Sequence, residues 1–114
     1  MLSSPLGGEL AKTGAAATNE DLDIGPVPEG EEWTLEHVSA EDETTAFTTL
    51  RVGIVRSLSF MPLEEQASPS AATLYWNSRP FYLGEHESLR VRFTGTTNAD
   101  KLRAYYNGTR RRVS

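Results

Sequence analysis

Apolar residues recur at every second position in a series of short segments, and this period of two constrains the fold more than any other feature. In the clearest segment, Leu89, Val91 and Phe93 alternate with the charged Arg90 and Arg92. Successive side chains of a β-strand point to opposite faces, so this pattern is typical of a strand with one buried face. The residues predicted to lie in the core on this basis are Leu50, Val52, Leu89, Val91 and Phe93.

Turn residues separate these segments at intervals typical of an all-β domain. Seven or eight short strands are recognisable, and no stretch of ten or more residues has the apolar spacing of an amphipathic helix. Gly25-Pro26 ends one strand, and Asn107-Gly108 is the strongest β-hairpin signal in the chain. Residues 64–72 lack apolar periodicity and are predicted to form a long surface loop. The sequence thus predicts an antiparallel β-sandwich or jelly roll.

The first 17 residues differ in composition from the rest of the 114-residue chain. They are rich in Gly, Ala, Ser and Thr, and their large apolar residues are Leu2, Leu6 and Leu10. Such a segment buries too little apolar surface to offset the entropy cost of ordering it. We therefore predict a flexible, extended N-terminal arm over residues 1–17, ordered only when bound, and one β-sandwich domain over residues 18–114.

The net charge of −5 conceals an uneven distribution along the chain. Residues 1–43 contain eleven acidic residues and one lysine, a net −10, whereas residues 44–114 contain ten basic and five acidic residues, a net +5. Two interpretations are open. Either the two parts attract each other between subunits that pack head to tail, or the strands interleave the two parts so that their charges cancel within one subunit.

A short basic run lies near the C-terminal end of the sequence. Arg110-Arg111-Arg112 is shorter than the run of about five to eight basic residues typical of a nucleic-acid patch. Nucleic acid is therefore not expected to be the main partner. Charge on an exposed edge strand, where it discourages stray strand pairing, is a simpler interpretation of the three arginines.

Adjacent aromatic residues predict rings on the outside of the domain. Neighbouring strand residues point to opposite faces, so each of the pairs Phe81-Tyr82 and Tyr105-Tyr106 places one ring outward. Outward rings are typical of an interface or a ligand platform, which makes Tyr82 and Tyr105 our candidates. Trp76 ends an apolar alternation and is instead predicted to lie in the core.

Motifs for catalysis or cofactor binding are missing from the sequence. It contains no Cys, and its two histidines, His37 and His86, have no second metal ligand at a useful spacing. The G-x-S-x-G, P-loop and G-x-G-x-x-G motifs do not occur. No apolar run approaches the roughly 18 residues of a membrane span. We therefore expect no enzymatic activity, no cofactor or metal, and no membrane partner.

Several turn and strand motifs occur in a characteristic order, at residues 27–33 (with P-x-G-x-x-W at 28–33), 38–40, 50–54, 82–85, 89–93, 100–102 and 107–108. In this order they resemble, over residues 18–114, small β-sandwich structural proteins of tailed bacteriophages. The resemblance implies a virion component, such as a capsid decoration protein or a head or neck accessory, assembled in the host cytoplasm. It implies partners among the major capsid or other virion proteins, and a homo-oligomer or many copies per particle.

We therefore expect a non-enzymatic virion subunit that binds capsid or neighbouring virion proteins through its arm and its sandwich surface. The alternative is a carbohydrate-binding sandwich that serves host adsorption and uses outward tyrosines as sugar platforms. The candidate interface residues are Leu2, Leu6, Leu10, Tyr82, Tyr105, Arg110, Arg111 and Arg112.

Overall fold

The computed structural model describes residues 3–15 and 17–113, and in these ranges the chain forms β-strands without any helix. All strand pairs are antiparallel, so the all-β class predicted from the sequence is confirmed. The strands are β1 (Ser3–Thr13), β2 (Asn19–Ile24), β3 (Glu31–Asp42), β4 (Thr49–Arg56), β5 (Ser59–Ala67), β6 (Tyr75–Trp76), β7 (Phe81–Leu83), β8 (Ser88–Thr94) and β9 (Lys101–Arg112).

The strands form two antiparallel sheets that enclose the core, as in a β-sandwich. The sheet that we call the long sheet has the order β1-β9-β3, and the short strands β6 and β7 both pair with β3 on the side away from β9. The short sheet has the order β2-β8-β4-β5. In both sheets, strands from the beginning of the chain therefore lie beside strands from its end.

The core contains five residues that the alternation predicted, although Trp76, also predicted there, lies outside it. Leu50, Val52, Leu89, Val91 and Phe93 are each at most 1% exposed, so their predicted position is confirmed. Full burial of one such side chain contributes about 1.5–3 kcal/mol to stability. The other buried apolar residues are Leu22, Ile24, Val27, Leu35, Val38, Ala40, Phe47, Tyr75, Phe81, Leu83, Leu102 and Ala104.

The segment predicted as a free arm over residues 1–17 is a strand over most of its length. Ser3–Thr13 pairs with β9 along all eleven of its residues. Its side chains are mostly exposed, and Leu6 and Leu10 are only partly buried. The prediction considered side-chain burial, whereas backbone hydrogen bonds to β9 attach this segment to the sheet. Leu2 lies outside the described residues.

Asn107-Gly108, predicted as a hairpin turn, lies inside a strand, so that prediction is wrong. β9 continues through both residues and pairs with β1 on one side and β3 on the other. A Cβ at Gly108 would lie 1.9 Å from the carbonyl oxygen of Thr34. The glycine therefore permits a close approach of two backbones beside a β-bulge, where the register of β3 shifts between Leu35 and His37.

A tight turn that the sequence did not reveal lies at Ser57-Leu58, between β4 and β5. Both residues have positive φ, 49° and 67°, and a type I′ hairpin turn requires positive φ at both central positions. Neither residue is one of the Asn, Asp or Gly residues that usually mark such a turn. β5 then continues to Ala67, which corrects the loop predicted over residues 64–72. Its periodicity is weak because this edge strand exposes most of its side chains.

Ion pairs cover the outer face of the short sheet. β2 pairs with β8 so that Asp21 lies opposite Arg92 and Asp23 lies opposite Arg90. Arg90 donates to both carboxylate oxygens of Asp23 at 2.8 and 2.9 Å, and Arg92 donates to those of Asp21 at 2.9 and 3.2 Å. The ring of Phe60 lies 4.7 Å from the Arg92 guanidinium. The acidic and basic parts of the chain therefore pair within one subunit, which favours the interpretation that their charges cancel in space.

Candidate functional site

The outer face of the long sheet carries the side chains that point away from the core. Along β9, Leu102 and Ala104 are fully buried, so Arg103 and Tyr105 point outward. The register of β3, β6 and β7 extends this assignment across the sheet. We define the outer face of the long sheet as Glu32, Thr34, His37, Ser39, Glu41, Trp76, Tyr82, Arg103, Tyr105, Asn107, Thr109 and Arg111.

Two aromatic residues lie in one row across this face. Trp76 lies opposite Ser39 in β3, and Ser39 lies opposite Tyr105 in β9. The serine between the rings is 4% exposed, whereas Trp76 is 65% exposed. His37 packs against Trp76 edge to face, with ring centroids 5.8 Å apart and an interplanar angle of 83°. This geometry is favoured between rings and helps to fix the orientation of the exposed indole.

Hydrogen bonds hold the two-residue strand β6 in the sheet. Asn77 Oδ1 accepts a hydrogen bond of 2.9 Å from the backbone N–H of Val38. The buried Tyr75 donates its hydroxyl to Glu64. Burial, together with the Glu64 carboxylate, raises the pKa of Tyr75 well above its usual value, so the hydroxyl stays a donor. These contacts direct Trp76 outward, because its strand neighbour Tyr75 is anchored in the core.

A cleft of about 510 Å³ opens at the other end of this face. Tyr82 lines it and is 69% exposed. Tyr82 lies opposite Thr34, which in turn lies opposite Thr109. Glu32 and Arg111 form an ion pair beside these hydroxyls. An aromatic ring, two hydroxyls and a charged pair therefore converge on a cleft whose volume is within the range of roughly 300–1,000 Å³ typical of small-ligand sites.

The structure brings together only part of the predicted interface set. Tyr82 and Arg111 both line the cleft, and Tyr105 lies in the aromatic row. Arg110 and Arg112 are exposed, but alternation along β9 places them on the opposite face of the sheet from Arg111. The three arginines thus do not form one patch.

The position of the arginine run in the sheet also corrects its interpretation. The run was expected on an edge strand, but β9 lies between β1 and β3, and β1 is the edge. Leu6 and Leu10 point toward the core and pack against it, away from the outer face of the long sheet. Because residues 1–17 were predicted to form a free arm, the last strand of the chain was expected at the edge of the sheet.

Among the rings of this face, the sequence analysis did not identify Trp76 or His37 as candidates, nor did it identify the polar residues between them and the cleft. Trp76 was expected in the core, and its exposure of 65% overturns that prediction. The signal was present, because adjacent strand residues point to opposite faces and Tyr75 precedes Trp76. The same argument that identified Tyr82 beside Phe81 therefore applies to this pair.

Two buried carboxyl groups, those of Asp42 and Asp100, meet at one end of the long sheet. Asp42 Oδ1 accepts the backbone N–H groups of Thr44 at 2.9 Å and Thr45 at 3.1 Å, and the Thr45 hydroxyl donates to Asp100 at 2.5 Å. Asp42 Oδ2 and Asp100 Oδ1 have no donor among the described groups, so a proton on Asp42, shared with Asp100, would satisfy both below about pH 6. Burial, reinforced by the hydrogen bond with Asp100, raises the pKa of Asp42 to about 6. These contacts tie loops together and give the pair a structural role.

Comparison with known proteins adds no relative to these observations. No family model matches the chain, and no curated protein or solved structure was found to match it. In residues 3–15 and 17–113, no three His, Cys, Asp or Glu side chains are grouped to hold a metal ion. The same ranges contain no helix long and apolar enough to cross a membrane. The outer face of the long sheet is therefore the candidate functional surface.

Proposed function

We propose that this protein is a non-enzymatic structural subunit of a phage virion. It binds neighbouring virion proteins, the major capsid protein among them, through the outer face of the long sheet. The observation that carries the proposal is the exposure of two large aromatic side chains on that face, 65% for Trp76 and 69% for Tyr82. Exposed aromatic residues of this kind are typical anchors of protein interfaces.

The residues around the two rings suit a protein partner. Thr34 and Thr109 offer hydroxyl groups between the cleft and the centre of the face, and the ion pair of Glu32 with Arg111 lies at its border. Interfaces commonly combine an aromatic centre with a polar rim. The face is also held in place before binding, which lowers the entropy cost of association.

The resemblance of residues 18–114 to small β-sandwich proteins of tailed bacteriophages supports the choice of a phage virion as the particle to which the protein binds. On that basis the subunit is a decoration protein or a head or neck accessory, present in many copies and assembled in the host cytoplasm. Head-to-tail attraction between acidic and basic parts is not needed for this role. Arg90, Arg92 and Arg103 already pair with acidic residues of the first part of the chain within one subunit.

A binding experiment with particles that lack the protein tests the proposal. Purified wild-type protein is expected to bind these particles. The variants Trp76→Ala and Tyr82→Ala are expected to bind them at least about tenfold more weakly. Leu58→Ala is the matched control, because Leu58 is 98% exposed but lies at the β4–β5 turn, outside this face. Binding of both aromatic variants within about twofold of wild type, measured by co-sedimentation, would overturn the proposal.

The cleft favours one second candidate, a carbohydrate-binding sandwich for host adsorption. Tyr82 offers a ring for stacking on a sugar, and Thr34, Thr109 and the Glu32–Arg111 pair offer hydrogen-bonding groups. A screen against host surface glycans tests it. Glycan binding that Tyr82→Ala abolishes and Leu58→Ala preserves would support this candidate. If wild-type protein binds particles but no glycan, the virion-docking function stands alone.

A further inference from the structure

β1 is a long edge strand with one side free. It is eleven residues long, and β9 is the only described strand that pairs with it. Edge strands in natural proteins are usually short, charged or covered, because free backbone groups attract a further strand. Of the charged side chains of β1, Glu9 contacts Arg103 and Lys12 contacts Glu20, both within the subunit. Both charged side chains are thus paired within the subunit, and Pro5 is the remaining feature of β1 that opposes pairing.

The end of β1 shows which backbone groups are free. The Gly14 N–H donates to Asp100 O at 2.8 Å, and Gly14 O accepts the Ala99 N–H at 2.8 Å. Successive residues of an antiparallel strand direct their backbone groups to alternate sides, so the even-numbered residues of β1 bond to β9. The odd-numbered residues point away from the sheet. Pro5 is odd-numbered, so its missing N–H takes no bond from the β1–β9 ladder and instead removes one donor from the free edge.

We propose that the free edge of β1 pairs, antiparallel, with the free edge of β1 in a second copy of this chain. The two-fold axis passes through Gly8, so that Ser3–Thr13 of each copy overlaps fully with Ser3–Thr13 of the other. This is β-strand addition with an isologous, self-complementary contact. It does not rest on the virion function, because it concerns the purified chain in solution.

Gly8 suits the position on the axis. Even-numbered residues form the non-hydrogen-bonded pairs of the new ladder, in which opposite Cα atoms approach to about 4.5 Å. Gly8 lies opposite Gly8 of the second copy, where the absence of two side chains removes any clash at this short distance. A Cβ on Gly8 would lie 2.8 Å from the hydroxyl of Tyr106, so the Tyr106 ring covers this glycine on the core-facing side. Pairing brings the two Tyr106 rings together beside the axis.

Apolar side chains on the core-facing side also become complementary. The register places Leu6 opposite Leu10 of the second copy, and Leu10 opposite Leu6. In one subunit these leucines are only partly buried against the edge of the core. Pairing therefore continues the apolar surface of the core across the axis, and apolar cross-strand pairs of this kind stabilise a sheet.

Charge selects this register over a neighbouring one. With the axis at Gly8, Glu9 lies opposite Gly7 and Lys12 lies opposite Ser4, so no like charges face each other. Moving the axis to Glu9 would place the two Glu9 side chains directly opposite, which is destabilising. It would also align Pro5 with Thr13 and separate Leu6 from Leu10.

Introduced cysteines test the register, since the chain contains none of its own. A mixture of Leu6→Cys and Leu10→Cys proteins is expected to form a disulfide-linked heterodimer under mild oxidation, because these positions lie opposite at disulfide distance. Each variant alone is expected to remain largely uncross-linked. Absence of the heterodimer, or homodimers of Leu10→Cys in its place, would overturn the proposal.

Sedimentation tests the pairing itself without altering a side-chain contact. The mass of the wild-type protein is expected to rise with concentration from 12.6 kDa toward twice that value. Ala11→Pro removes an outward N–H, as Pro5 already does, and leaves the bonds to β9; we expect dimerisation at least about tenfold weaker. Ala11→Ser retains the N–H and is the control. A wild-type protein that stays monomeric, or an Ala11→Pro variant with the wild-type fold by circular dichroism that dimerises equally well, would refute the pairing. No particle is involved, so this failure is distinct from failure of virion docking.

Discussion

The outer faces of the two sheets use their polar and aromatic residues in different ways. On the short sheet, Asp21 and Asp23 pair with Arg92 and Arg90, and the ring of Phe60 covers the arginines. The long sheet instead exposes Trp76 and Tyr82. The first face pairs its charged groups within the subunit, whereas the second leaves two large aromatic side chains exposed to solvent.

This difference follows from which strands become neighbours. β2 carries carboxylates at every second residue and lies beside β8, which carries arginines at the matching positions. The two most exposed aromatic residues of the long sheet, Trp76 and Tyr82, lie on short strands next to β3, opposite the small residues Ser39 and Thr34. A ring opposite a small residue remains exposed, while an arginine opposite an aspartate finds a partner. Ion pairs thus cover one face, whereas the other, which also carries the Glu32–Arg111 pair, leaves Trp76 and Tyr82 exposed.

The largest expected effect on stability comes from a charge introduced on the inner side of the short sheet, compared with one introduced on its outer face. Val91→Asp would bury an uncompensated charge at a position that is 0% exposed, and we expect loss of folding at 25 °C, at a cost of about 4 kcal/mol or more. Arg92→Asp, one residue away on the outer face, should still fold. Thermal denaturation followed by circular dichroism measures both. Similar melting of the two variants would show that the register of β8 is shifted by one residue.

The buried carboxyl group of Asp42, which has no arginine partner, should make the stability of the protein depend on pH differently from the surface carboxylates that pair with arginine. Asp42 has a folded pKa of about 6, above the ordinary 3.8, so the stability it contributes is complete below pH 3.8 and lost as pH rises through 6. Asp42→Asn keeps the bonds from Thr44 and Thr45 and can donate to Asp100. We expect it to stabilise the protein by about 1–3 kcal/mol at pH 8 and much less at pH 4.

Urea denaturation at the two pH values measures this change, with Asp23→Asn as the control on an exposed carboxylate. A stability difference between Asp42→Asn and wild type that is the same at pH 4 and pH 8 would contradict the shared proton.

Breaking an ion pair on the short sheet should have a smaller effect. Asp23→Asn weakens the bidentate contact with Arg90, and we expect a loss of about 1 kcal/mol that shrinks in high salt, because both groups are partly exposed. Urea denaturation at low and high salt measures it. A loss that does not depend on salt would show that the pair acts through packing instead of charge.

The smallest effect on stability is expected on the open face. Trp76→Ala removes a side chain that is 65% exposed, so the free energy of unfolding should change by only about 0.5 kcal/mol or less. Its effect on particle binding should nevertheless be large. A stability loss comparable to that of a core substitution would mean that Trp76 serves packing, and the contrast between the two faces would fail.

Alternation in the sequence was sufficient to predict the class of fold and several of the side chains in its core. Val91 and Phe93 are buried and Tyr82 is exposed, because local side-chain direction in a strand depends only on a period of two. The same rule would have placed Trp76 outward from its neighbour Tyr75. The outward direction of Tyr82 and Trp76 could therefore be predicted from the buried residues that precede them, Phe81 and Tyr75.

Strand partners were decided only by the tertiary structure. The sequence did not show that residues 3–13 complete the long sheet, because backbone hydrogen bonds hold them and these leave no pattern in side chains. Nor did it show that Asn107-Gly108 continues a strand, since the reason is the approach of Thr34 from β3. The cleft between Tyr82 and Arg111 likewise joins residues 29 positions apart. Pairing between distant segments depends on long-range packing, and local patterns do not record it.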